Sequence, residues 1–169
     1  MLGWIEVENA TAAALADRDD AARRSGRFVT TLRAVDASGA PDSKRRGQGL
    51  DVVAADARRY LSRLPYDLDS VAVLEVRESR MAAPVWDGPP TWSHGDLYSG
   101  NLLARDGGLV AVIDFEGSGA GDPASDLIAA WWLFDESSRD TFLEAIGPDD
   151  ASLRRGMGWA LYRCIAAIP

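Results

Sequence analysis

Three oxygen-bearing side chains stand at spacings suited to phosphoryl transfer: Asp96, Asn101 five residues after it, and Asp114. An aspartate beside a bound hydroxyl can orient it and accept its proton late in the transfer. An asparagine oxygen and a carboxylate are hard ligands that suit Mg²⁺, the ion that bridges nucleotide phosphates. Asp96 and Asn101 lie in His94-Gly95-Asp96-Leu97-Tyr98-Ser99-Gly100-Asn101, and Asp114 opens Asp114-Phe115-Glu116-Gly117. Between these clusters, Leu102-Leu103-Ala104 and Leu109 to Ile113 read as two strands joined by Arg105-Asp106-Gly107-Gly108. The Asp-Gly pair supplies the positive-φ residues of a tight turn, so the reading is a hairpin. Paired strands hold their ends together. The loop before the first and the loop after the second therefore converge, which gathers Asp96, Asn101 and Asp114 around one cleft.

The elements around this hairpin read mainly as helices. From Ala16 to Val35, apolar residues at Phe28, Leu32 and Val35 follow i, i+4, i+7 spacing and predict an amphipathic helix. The turn-rich stretch from Asp36 to Gly49 reads as a surface loop carrying Lys44, Arg45 and Arg46. Asp51 is placed to cap a helix through Val53, Ala57, Tyr60, Leu61 and Leu64, stopped by Pro65. A further helix is expected over residues 70–81, then a break at Gly88-Pro89-Pro90 and a short strand at Thr91-Trp92-Ser93. Past the hairpin, helical texture returns at Pro123 with Leu127, Ile128, Trp131 and Trp132, whose tryptophans read as core. Ser138 to Ile146 predicts a short helix closed by Gly147-Pro148, and Asp149 or Asp150 can cap a last helix through Trp159, Leu161, Tyr162 and Ile165. The expectation is one mainly α domain with a small β-hairpin over residues 1–169.

Composition narrows the function classes. With 169 residues, 47% apolar and 26% charged, the chain can bury a core of its own. A net charge of -8 argues against nucleic-acid binding and is compatible with a cationic ligand. A single cysteine, Cys164, and a single histidine exclude an internal disulfide and a His/Cys zinc site. No basic-then-apolar leader and no apolar run of about 18 residues is visible, so a cytoplasmic protein without a membrane span is expected. The chain has one lysine, Lys44; its other basic residues are arginines.

The segments HGDLYSGNLL and VAVIDFEGSGAGDPASDL, in this order and spacing, resemble the aminoglycoside phosphotransferase and choline kinase family. H-x-D-x-x-x-x-N followed by D-F-x is also similar to the protein-kinase catalytic loop and metal-binding aspartate. The specific part runs from Trp92 to Leu127, and a looser likeness extends upstream from Trp4-Ile5-Glu6 through Leu32 to Asp36. The resemblance implies the C-terminal lobe of a protein-kinase-like fold, ATP as co-substrate and Mg²⁺ as metal. It implies Asp96 as catalytic base and Asn101 and Asp114 as metal ligands. Leu103 and Ile113 match positions under the adenine and beside the metal. His94 and Asp126 match residues that brace the loop. Tyr98-Ser99 stands where many relatives have His-Pro, a departure that bears on the acceptor more than on the metal.

Other polar residues have plainer readings beside the functional ones. Asp122 is a helix cap or a metal neighbour, and Glu116 an exposed loop carboxylate or an outer partner of the metal. Asp135, Glu136, Glu144, Asp149 and Asp150 read as caps and solvated faces, with a cationic-substrate pocket as the alternative. Enzymes of this chemistry also grip the α- and β-phosphates with a Gly-rich strand-turn-strand and a strand-borne lysine. Nothing upstream of Asp96 matches it, and Lys44 lies in a polar loop. The nucleotide lobe is therefore expected to be missing, and the lobe to be inactive by itself. Two functions stay open: a phosphotransferase acting on a small-molecule hydroxyl acceptor, or a non-catalytic binding or regulatory module derived from it. The acceptor and the oligomeric state are not written in the sequence.

Overall fold

Asp106 and Gly107 both take positive φ, 52° and 79°, and turn the chain between β3 (Leu102–Arg105) and β4 (Gly108–Val112). The hairpin is the expected one. It pairs antiparallel, Leu102 opposite Val112 and Leu103 opposite Ala111, with a bulge between Leu103 and Ala104. The computed structural model of the chain describes residues 6–43, 50–61 and 83–167. Within them β1 (Glu8–Asn9) adds to β3, giving a three-stranded sheet in the order β1-β3-β4. A second, two-stranded sheet pairs β2 (Thr91–Ser93) with β5 (Gly119–Gly121). The remainder is mostly helical. Lys44 and the expected helix over 70–81 lie outside the described residues.

Helix α1 (Arg18–Arg33) forms where it is expected, capped by Asp17, whose side chain accepts from the Asp20 amide. Its buried face differs from the expected stripe. Ala21, Ala22, Ser25, Gly26 and Val29 are buried, whereas Phe28 and Leu32 are half-buried and Val35 lies exposed beyond the helix end. Small residues line the buried face because α1 packs closely on α4 (Glu136–Ile146): a Cβ on Gly26 would sit 2.6 Å from the Ala145 Cβ. Gly26→Ala should therefore destabilise the fold. Overpacking of about 1–3 kcal/mol outweighs the roughly 0.5–1 kcal/mol that alanine gains in helix propensity. A chemical denaturation curve measures this, and a raised midpoint would contradict the packing.

A 3₁₀ turn (Leu50–Val53) runs into α2 (Ala54–Leu61). The turn already includes Leu50, so Asp51 lies within the helical run and does not precede it. From Pro123 the expected α-helix is instead a 3₁₀ segment, Pro123–Ile128, followed by the short α3 (Ala129–Trp132). Every residue from Pro123 to Ile128 is buried, and Asp122 caps the start by accepting from the Ala124 amide at 2.9 Å. α4 is capped by Asp135 and closed by Gly147. Asp149 caps α5 (Asp150–Ala166). Asp135 thus has a structural task, and its hydrogen bonds from Ser138 and Arg18 hold its carboxyl down at about 2.

The core joins α1, the hairpin and the segments after Pro123. Val29, Leu97, Leu102, Leu127 and Phe142 are fully buried in one cluster, each contributing about 1.5–3 kcal/mol by burial. Trp131 packs against this cluster, as expected. Trp132, half-buried like Trp131, is not packed against this cluster and faces Tyr98 across 6.5 Å. Among the described residues no helix is long and apolar enough to cross a membrane.

Candidate active site

Gly95 adopts φ 77°, which lets the chain reverse between β2 and Asp96. The turn is fixed from beneath by a fully buried carboxylate. Asp126 accepts from the Gly95 amide at 2.8 Å and from the His94 amide at 3.0 Å. Burial pushes the Asp126 carboxyl above its ordinary range, while those amides and the Arg33 charge act in the opposite direction. Arg33 comes from the last turn of α1 and donates to the Pro123 carbonyl at 2.7 Å. Burial lowers its pKa, opposed by the charges of Asp126 and Asp122.

His94 is fully buried, and both ring nitrogens are engaged. Nδ1 accepts from the Asp96 amide at 3.3 Å, and Nε2 lies 2.9 Å from the Ile113 carbonyl. An amide can only donate and a carbonyl can only accept, so the ring is neutral with its proton on Nε2. The Phe115 ring packs edge-on against it at 4.9 Å. No lone pair or proton is left over, so the ring can brace but not transfer.

The same hydrogen bonds bring the expected polar residues together. Asn101 donates from Nδ2 to the Asp96 carbonyl at 3.0 Å and to Asp96 Oδ2 at 3.2 Å. The Ile113 amide donates to the Asn101 carbonyl at 2.9 Å. His94 then links Ile113 back to Asp96, closing a ring. Asp114 is the next residue, exposed and in the left-handed region at φ 63°, ψ 64°, where aspartate is among the better tolerated side chains. Asp114 thus stands just past the end of β4, next to the hydrogen-bonded Ile113.

With Nδ2 committed to Asp96, the Asn101 side chain has its oxygen left for a metal. Among the described residues no group of three or more His, Cys, Asp or Glu could hold an ion. One amide oxygen and one carboxylate fit Mg²⁺, which keeps several waters and takes phosphate oxygens for the rest of its shell. Leu103 is half-buried and opposite Ala111, and Ile113, two residues on from Ala111, is 40% exposed. Alternation places all three on the face of the hairpin turned from the core, beside Asp114.

Asp122 is not a metal neighbour. Its Oδ1 caps the 3₁₀ segment, and its Oδ2 pairs with Arg155 Nε at 2.8 Å, both side chains being 4% exposed. Glu116 is exposed at the rim of an open apolar groove between Leu32, Val35, Pro41, Trp92 and Phe115. Sequence reasoning missed Arg163. It reaches from α5 to Asp96 Oδ1 at 3.2 Å and lies beside both the Tyr98 and Trp132 rings. Nothing local marks it, because its partners lie in the loop that holds Asp96 and Tyr98 and in α3, both distant from it in sequence.

The sequence profile of the phosphotransferase enzyme family matches residues 1–160. No curated protein sequence matches significantly. Among solved structures, a type I macrolide 2'-phosphotransferase superposes with a TM-score of 0.64 at 19% identity, over 97% of this chain and 60% of its own. The streptomycin-ATP-APH(2'')-IIa ternary complex gives 0.60 at 18%, over 96% and 61%. A choline/ethanolamine kinase family protein from Mesorhizobium loti gives 0.60 at 21%, over 95% and 55%. The chain thus spans less than two thirds of the length of each of these structures, and the likeness to them is one of fold. The profile match takes in nearly all of the sequence, the hydrogen-bonded loop and Asp114 included, and this chain belongs to the phosphotransferase enzyme family.

Proposed function

We propose that this chain carries the catalytic site of an ATP-dependent phosphotransferase that moves the γ-phosphate to a hydroxyl of a small molecule. The observation behind this reading is the closed ring of hydrogen bonds that ties Asp96 to Asn101, His94 and the strand end before Asp114. Structural neighbours add support: one holds streptomycin and ATP, another AMP-PNP and hygromycin B. A cytoplasmic setting, where ATP is supplied, fits the same reading.

In this reading Asp96 orients the acceptor hydroxyl and receives its proton. Asn101 and Asp114 would hold Mg²⁺, which, when bound, draws charge from the phosphate oxygens. Leu103, Ala111 and Ile113 offer an apolar ledge for a base, and His94 and Asp126 keep Asp96 in place from behind. Asp114→Asn removes the one anionic ligand, so the Mg²⁺ concentration for half-maximal nucleotide binding should rise at least about tenfold. An unchanged Mg²⁺ titration contradicts the role.

In the sequence before Asp96 no Gly-rich strand-turn-strand pattern is legible, and the lysine there, Lys44, lies outside the described residues. Turnover by the chain alone is therefore expected to be low, and assays belong in a form that carries a nucleotide-gripping lid. The same shortage favours a second reading, a small-molecule-binding module without turnover. ADP release across a panel of hydroxyl compounds by a lid-bearing form separates the two. Acceptor-dependent release supports transfer, and binding without release supports the module.

A further inference from the structure

The Arg163 guanidinium is held more tightly than a surface arginine needs to be. It lies 5.8 Å from the Tyr98 ring centre and 5.7 Å from that of Trp132. The two rings stand at 87° to one another. Trp132 is fastened to the helix that bears Arg163, its indole N–H donating to the Ala160 carbonyl at 3.4 Å. Flat aromatic faces suit a planar, delocalised cation and fix its direction. That direction is toward Asp96: the nearest guanidinium nitrogen is 3.2 Å from Oδ1, and the two side chains remain 24% and 15% exposed. A small, partly open cavity of about 10 Å³ lies against the pair, lined by Gly95, Ser125, Ile128 and Trp159.

Arginine does not lose its charge in a protein, so a permanent cation sits beside the carboxylate that meets the acceptor. An ammonium brought to Asp96 has to approach that cation at close range, where like charges at a half-buried site repel strongly. A carboxylate on the acceptor meets the opposite situation. Arg163 uses one nitrogen toward Asp96, and its planar fork has further N–H groups that can pair with a second anion.

We propose that Arg163 is a positioning and specificity-determining residue of this site, selecting acceptors that bring an anionic group, not an ammonium, next to the reacting hydroxyl. This rests on the phosphotransferase reading for the role of Asp96. It goes beyond that reading by assigning the charge class of the acceptor. Tyr98, two residues after Asp96 in the same loop, supplies one of the two rings beside Arg163.

The test is equilibrium binding of acceptors matched in pairs, a sugar acid against the amino sugar of the same ring, measured by calorimetry on the intact chain. The unaltered protein should bind the acid about tenfold or more tightly than the amine. Arg163→Gln should bring the pair within about twofold of one another, and Arg163→Lys, which keeps the charge but loses the planar fork, should restore only part of the preference. A thermal midpoint recorded for each variant separates folding from selection. Tighter binding of the amine by the unaltered protein would overturn the proposal. So would a preference unchanged in Arg163→Gln, including one accompanied by a lowered midpoint. The readout needs no turnover: an intact acid preference with no phosphoryl transfer counts against the phosphotransferase reading alone.

Discussion

Asp96→Asn should lower the rate of phosphoryl transfer by about 10²–10⁴-fold, the usual contribution of a positioned proton acceptor. The substitution is close to isosteric, so the loop should keep its shape. His94 binds the residue-96 amide, and Asn101 Nδ2 binds the residue-96 carbonyl; neither contact depends on the carboxylate. What changes is chemical. The amide cannot take the hydroxyl proton, and Arg163 faces a neutral group where it had a partner at 3.2 Å. Nucleotide affinity should be nearly unchanged, because the groups assigned to the metal and the base are Asn101, Asp114, Leu103 and Ile113. Single-turnover transfer in a lid-bearing form measures the first effect, and a nucleotide titration the second. A rate within about threefold of the original contradicts the assignment of Asp96.

Asp126→Ala should cost about 3–5 kcal/mol of stability. The side chain is fully buried, and its loss strips the acceptor from two buried amides, Gly95 and His94. Each such group costs about 1–3 kcal/mol when left unpaired. Arg33 also loses a counter-charge that acts on it within the fold, and breaking a buried pair of charges costs about 3–5 kcal/mol. These costs overlap, so they are not summed. Against a total of about 5–15 kcal/mol for a domain, the loss is large. Asp126→Asn, which keeps one accepting oxygen, should lose distinctly less. Denaturant midpoints decide this, and a loss below about 1 kcal/mol for Asp126→Ala would show that the loop is held elsewhere.

The candidate-site loop and the hairpin were legible because their information is local. Asp106-Gly107 encodes the turn, and five residues separate Asp96 from Asn101, so spacing alone locates them at the strand end. Helix caps were legible for the same reason: Asp149 accepts from the Ser152 amide at 2.6 Å three residues on. The buried face of α1 was not. Its stripe of Ala21, Ala22, Ser25 and Gly26 is chosen by the close approach of α4, and small residues carry no hydrophobic signal that a periodicity reading would favour. Nor was the shape of Pro123–Ile128, which is buried throughout and carries the carboxylate that reaches the Gly95 and His94 amides. The contact of Arg163 with Asp96 spans 67 residues and depends on how α5 crosses the loop, which no local pattern records.

The assignment of Asn101 and Asp114 to one metal-nucleotide site can be tested on the chain itself by paramagnetic relaxation. Mn²⁺ stands in for Mg²⁺ and broadens nuclei close to it, so its complex with ATP, titrated against labelled protein, reports where the ion sits. Selective loss of the amide signals of Asn101 and of residues 113–115, abolished in Asp114→Asn, is the predicted result. Broadening centred on another face of the fold, or equal broadening with Asp114→Asn, would contradict it.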